Sequence, residues 1–313
     1  MRPAKGLCLI VTLVLCSFAP VHGQGCSDAG FCTMGAMKPD QPFSKKIELR
    51  LRSMEISFYR GSTTLTPIIY VATADLNFSL NKKTSLQLKL PYQAVSGRLA
   101  NTSGMGDISF CVTRNIVSKP SFDVNLTIGG KIATNHSDKS IDGRPLPMYY
   151  QTSLGTYDAI AGISVISRNW LFATGIQHPF NKNHNQFAWT AWQGSDEDQS
   201  YVERYPKSKL LQRGTDVMLR VERNFRFSQW NFSVGLLPIF RINHDVISDP
   251  TGKRITQDGT VGMALSGIVT TGYNFNVRSG VKLLVGHKIR QRELNPDGLT
   301  RELVTSISYC YRF

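Results

Sequence analysis

The stretch Leu303 to Phe313, L-V-T-S-I-S-Y-C-Y-R-F, alternates without a slip. Leu303, Thr305, Ile307, Tyr309, Tyr311 and Phe313 fall on one side; Val304, Ser306, Ser308, Cys310 and Arg312 fall on the other. A period of two with a small, polar second face describes a strand lying between two different environments. The first face grows more aromatic toward Phe313, on which the sequence ends. A strand with lipid on one side and a wet interior on the other has this character.

The alternation recurs from Lys45 onward, in about twelve segments. The first runs from Lys45 to Arg60 and changes phase, from Ile47, Leu49 and Leu51 to Met54, Ile56 and Phe58, which predicts a bulge near Ser53. Later segments are plainer: Leu65 to Leu80, Ser85 to Leu99, Gly106 to Val117, Phe122 to Ala133, Gly214 to Phe225 and Trp230 to Asn243. The connections sort by parity. Asn81 to Thr84, Ser118 to Ser121, Arg168-Asn169 and Arg226 to Ser228 are short, whereas the polar stretch Lys182 to Arg213 is the longest. A soluble sandwich has no reason to place short turns on one rim and long loops on the other. Segments of about ten to sixteen residues also exceed ordinary soluble strands and suffice to cross a bilayer at a tilt. The expected fold is all-β: a single transmembrane antiparallel β-barrel of residues 45–313, with short periplasmic turns and longer extracellular loops.

The N-terminus has the features of a signal peptide over residues 1–23: Arg2 and Lys5, an apolar run from Leu7 to Phe18, and small residues around Gly23. Such a leader and an aromatic last strand point to the bacterial outer membrane. Residues 24–44 have no clean period and are expected to form a periplasmic segment or a plug in the lumen. In an oxidising compartment Cys26 and Cys32 are close enough in sequence to close a small loop, with Cys111 and Cys310 as alternative tethering partners for that segment. The net charge of +14 raises nucleic acid as a partner, but the basic residues are scattered rather than striped, which argues against it. No motif for a metal, cofactor or dinucleotide is present.

The inward phase carries unusual charge. Lys46, Arg50, Arg52, Lys89, Lys131, Arg220, Arg241, Lys282 and Arg312 are expected to face the lumen, with Asp75, Asp107, Asp123, Asp216 and Glu222. Two interiors follow: one filled or gated by paired charges, and one open and attractive to anions. Catalytic constellations are weak. In Asn135-His136-Ser137 adjacent residues point in opposing directions, and His244-Asp245 opens a solvated loop, so no enzyme is expected. The loop after the seventh segment holds Trp189, Trp192 and Asp196-Glu197-Asp198, which fits either capping of the mouth or a surface-interaction role.

The aromatic C-terminal strand resembles the signal by which bacterial outer-membrane proteins are recognised by the barrel-assembly machinery. Gly104-Met105-Gly106-Asp107, following Lys89-Leu90-Pro91, resembles a feature of the outer-membrane barrel family of meta-pathway phenol-degradation proteins, which is related to hydrophobic-compound transporters. The resemblance spans roughly Lys45 to Phe313 and implies uptake of small, often hydrophobic molecules, with an N-terminal segment sometimes inside the barrel. The chain departs from that pattern at Lys131-Ile132-Ala133-Thr134, where the family often has Pro-Thr-Gly. A monomeric channel or transporter set in outer-membrane lipid is the expectation, with a non-transporting structural barrel as the alternative.

Overall fold

The structure is a computed structural model that describes residues 34–38 and 51–313. Residues 1–23, expected to be a signal peptide, and Cys26, Cys32, Lys46 and Arg50 lie outside the described residues.

Twelve strands close into an antiparallel barrel: β1 (Leu51–Ser62), β2 (Ile68–Asn81), β3 (Thr84–Ser96), β4 (Ile108–Ser118), β5 (Phe122–Ile132), β6 (Asp158–Ser167), β7 (Trp170–Pro179), β8 (Asp216–Phe227), β9 (Trp230–Arg241), β10 (Gly262–Asn274), β11 (Ser279–Arg290) and β12 (Leu303–Arg312). Each pairs with its chain neighbours, and β12 returns to β1 with Tyr309 opposite Ile56. Closure satisfies every strand edge within the wall, as a lipid-embedded sheet requires. The phase change in β1 is a register shift between Leu51 and Ser53. One further strand belongs to the barrel sheet. Asn101–Met105 pairs with the end of β3, beyond the level at which β3 leaves it for β4.

Outward positions are apolar and exposed, as with Ile56 and Phe58, Leu126 and Ile128, Leu219 and Val221, and Ile307 and Tyr309. Aromatic rings gather at the short-turn rim. Phe227 and Trp230 are both exposed across one turn, Trp230 contacts Tyr273 at 4.9 Å, and Tyr311 meets Phe313 at 5.1 Å. Amphipathic rings collect at the level of the headgroups. At the other rim the loops fold inward. Leu146, Tyr149, Tyr150, Phe187, Trp192, Tyr201 and Tyr205 pack on the inward-facing Ile69 and Val71 of β2 and Val95 of β3. A short hairpin, Asp245–Ser248 with Arg254–Gln257, completes this dome.

Candidate functional site

The bore is divided into levels. Beneath the loop dome, arginines and aspartates form a buried lattice. Arg241, 1% exposed, donates to Asp216 at 2.7 and 2.8 Å, to Asp245 at 2.7 and 3.0 Å, and to Asp297 at 2.8 Å. Arg213 reaches Asp158 at 3.1 Å, Asp216 at 3.3 Å and Asp297 at 3.5 Å. Arg292 reaches Asp216 at 3.2 Å. On the adjoining wall Lys131 lies 3.1 Å from Asp158 and 3.7 Å from Asp107. Burial alone pushes the Asp297 carboxyl up, but the guanidinium groups of Arg241, Arg213 and Arg292 outweigh it and hold Asp297 below the usual carboxylate range. The lattice draws on β5, β6, β8 and β9 and on four loops, so it ties the loops to the wall.

Residues 34–38 occupy the middle level. Gly35–Met37 form one turn of 3₁₀-helix inside the barrel. The Gly35 amide donates to Gln87 Oε1 at 2.8 Å, and Arg220 donates to the Met37 carbonyl at 3.2 Å. Lys38 Nζ lies 2.9 Å from Glu55 and 3.1 Å from Asp75. Gly35 has φ +46, and a Cβ there would meet the hydroxyl oxygens of Thr127 and Thr113 at 2.6 and 2.7 Å, so only glycine fits this approach. The Met37 side chain enters a socket made by Gly162 of β6 and Gly175 of β7, which face each other across the two strands. A Cβ at Gly175 would stand 3.1 Å from the Met37 sulfur, and one at Gly162 would overlap it. Around this segment the inner wall is apolar: Ile160, Met218, Leu237 and Ile268 pack with the fully buried Met34 and Met37.

The expected inward residues distribute as follows. Asp75 accepts from Gln87 at 2.7 Å and lies 3.8 Å from Lys89; Lys282 lies 3.9 Å from Glu55; Arg220 lies 3.2 Å from Glu222. Asp123 accepts from Ser118 at 2.6 Å near the short-turn rim. Arg52 differs from expectation. It is exposed where β1 bulges, and its carbonyl accepts from the Phe313 amide at 3.1 Å. The bulge breaks the strict alternation that assigned it inward. Arg312 is half-buried at the same rim and donates to the Val277 carbonyl at 3.4 Å. Gly106 packs on Pro91, where a Cβ would stand 3.0 Å from Cγ, and Gly104 has φ +158. Asp107 then turns inward and accepts from the Leu154 amide at 3.0 Å. Cys111 and Cys310 are both free thiols.

Sequence reasoning passed over Glu55, Asp158, Arg213, Arg292, Asp297, Gly162 and Gly175. Glu55 and Asp158 were readable from the phase of their strands. Arg213, Arg292 and Asp297 lie in loops, where no period marks a facing direction.

The motifs weighed for catalysis have structural partners. Ser137 donates to the Ser153 carbonyl at 2.7 Å, and its amide donates to Asn135 Oδ1 at 3.0 Å. His136 stacks on His184 at 4.8 Å. Asp245 is held by Arg241, and His244 is exposed beside the Gln257 carbonyl. In the long loop the Trp189 and Trp192 indoles donate to the carbonyls of Tyr205 and Pro145, each at 2.8 Å, so both rings are committed to the dome.

No protein-family model matches the sequence, and no curated protein does. Among solved structures, the COG4313 outer membrane channel from Pseudomonas putida F1 is similar with a TM-score of 0.57 at 13% identity, over 87% of this chain and 99% of that one. The chain has the fold of an outer-membrane channel. More distant likenesses include the NanC porin (TM-score 0.47, 10% identity, 84% of this chain and 100% of that one) and the CymD monoaromatic hydrocarbon channel (0.40, 12%, 93% and 98%). The expectation of no enzyme is corrected by outer membrane phospholipase A from Escherichia coli, which is also among the similar structures (0.38, 8%, 84% and 94%).

Proposed function

We propose that the protein is a monomeric outer-membrane channel for small hydrophobic solutes, closed in this state by residues 34–38 acting as a plug. The observation that carries this reading is the apolar belt at the middle of an otherwise polar bore. Ile160, Met218, Leu237 and Ile268 face inward and are covered by Met34 and Met37. A wall that needed only to be filled would be filled by its own side chains. Here it is thinned by paired glycines, and a separate piece of chain fills the space. Withdrawing that piece leaves an apolar constriction, which passes apolar solutes in preference to hydrated ions. The likeness to channel structures and the resemblance to barrels of the meta-pathway phenol-degradation family support the same assignment. The aromatic C-terminal strand is the segment through which the barrel-assembly machinery would insert it.

The test is liposome swelling with a small neutral aromatic, a sugar of similar size and an anion, for the full chain and for Met34→Ser/Met37→Ser. The variant is expected to raise permeability, most for the aromatic. Equal impermeability of both proteins to all three solutes would refute the channel.

A further inference from the structure

The outer wall carries a trough where β1, β2 and β3 adjoin. Outward residues of β2 read Tyr70, Ala72 and Ala74. Ala72 lies between Phe58 and Tyr92, and Ala74 between Ile56 and Leu90. Methyl groups between large side chains recess the surface along the strand. A groove of about 590 Å³ opens there, lined by Phe58, Arg60, Tyr70, Ala72, Tyr92 and Ile307 among others.

Arg60 sits at the loop-rim end of this groove. It shares the exposed, outward phase of Ile56 and Phe58, two residues before β1 ends at Ser62. Thr305 and Tyr70 flank it across the neighbouring strands, so a hydroxyl stands on each side. The Arg60 side chain has no hydrogen bond or ion pair with another described residue. A guanidinium on a lipid-facing wall is tolerated near the interface, where it meets headgroups, and its planar fork matches phosphate. Cationic fork, flanking hydroxyls and apolar trough follow one another in the order of the parts of an anionic phospholipid.

We infer that this trough is a binding site for one phosphate-bearing lipid of the surrounding leaflet, with the phosphate on Arg60, Tyr70 and Thr305 and an acyl chain along Phe58 and Ala72. The inference rests on the membrane placement of the barrel and not on its transport activity. It is tested by native mass spectrometry of the detergent-solubilised full chain with phosphatidylglycerol or with diacylglycerol of the same chains. Wild type is expected to retain phosphatidylglycerol over diacylglycerol by about fivefold, the increment of one basic residue at an anionic lipid surface. Arg60→Gln is expected to abolish that preference, and Ala72→Leu to reduce retention of both lipids; Ala72→Val repeats the second arm should Ala72→Leu fold poorly. Equal retention of the two lipids by wild type, or retention unchanged by the substitutions, overturns the site. A wild-type dimer lost on Ala72→Leu also overturns it, by making a second copy the occupant. Unaltered solute flux through Arg60→Gln separates failure of this site from failure of the channel.

Discussion

Gly162→Leu tests how the bore is closed. The substitution places a branched side chain where the Met37 sulfur lies, and the facing Gly175 leaves the methionine nowhere to shift without meeting the β7 backbone. Overpacking of this kind costs roughly 1–3 kcal/mol. The burial of Met37 contributes a similar amount, about 1.5–3 kcal/mol. The overpacking therefore cancels much of what seats residues 34–38. The ratio of seated to released segment should fall roughly 5- to 150-fold, a tenfold change corresponding to about 1.4 kcal/mol. Lys38, paired with Glu55 and Asp75, still tethers the segment, so intermittent opening is expected rather than a permanently open pore. Single-channel recording in planar bilayers should show brief openings that wild type lacks. Adding Met37→Ala removes the overlap and lets the introduced leucine fill the socket in place of the methionine, so the double variant should open less often than Gly162→Leu alone, a non-additive pair. Unchanged recordings for Gly162→Leu, or openings that persist undiminished in the double variant, would refute the argument that a well-fitted side chain in this glycine socket closes the bore.

Three further outcomes follow from the polar lattice and the dome. Arg241→Met leaves Asp245 without its guanidinium partner, takes one partner each from Asp216 and Asp297, and is expected to destabilise the barrel by about 3–5 kcal/mol, read as a lower urea midpoint in detergent. Asp297 is held below its unfolded range, so it stabilises the fold above about pH 4 and loses that contribution as pH falls. Protease nicking of residues 291–302 should therefore increase below pH 4 in wild type and respond less to pH in Asp297→Asn. Burial raises the phenol of Tyr149 to about 12 and raises Tyr205 as well, with the Tyr150 hydroxyl adding to the latter. Raised phenols stabilise the dome below about pH 10 and cease to as pH climbs past it. Absorbance near the tyrosinate band should show these two ionising after the exposed tyrosines, together with loss of near-ultraviolet dichroism from Trp189 and Trp192.

The sequence by itself determined the wall. Whether a strand residue meets lipid or the bore is a local, residue-by-residue choice, and it leaves a period of two that can be read from Leu303 to Phe313 and, more faintly, along eleven other strands. Loop lengths carry the rim assignment in the same local way, and even the β1 bulge left its trace as a phase change. The same rule failed at Arg52, because a bulge removes the alternation on which it depends. Contacts across the bore were decided only by the tertiary structure. Asp297 comes from one loop to meet Arg213 of another and Arg241 on β9, and Met37 meets Gly162 and Gly175 from far along the chain. Such meetings join residues with no fixed spacing, and glycine in a strand looks the same whether it relieves a turn or makes room for a neighbour. The alternation states which way a side chain points; the closed, curved sheet determines what it finds there.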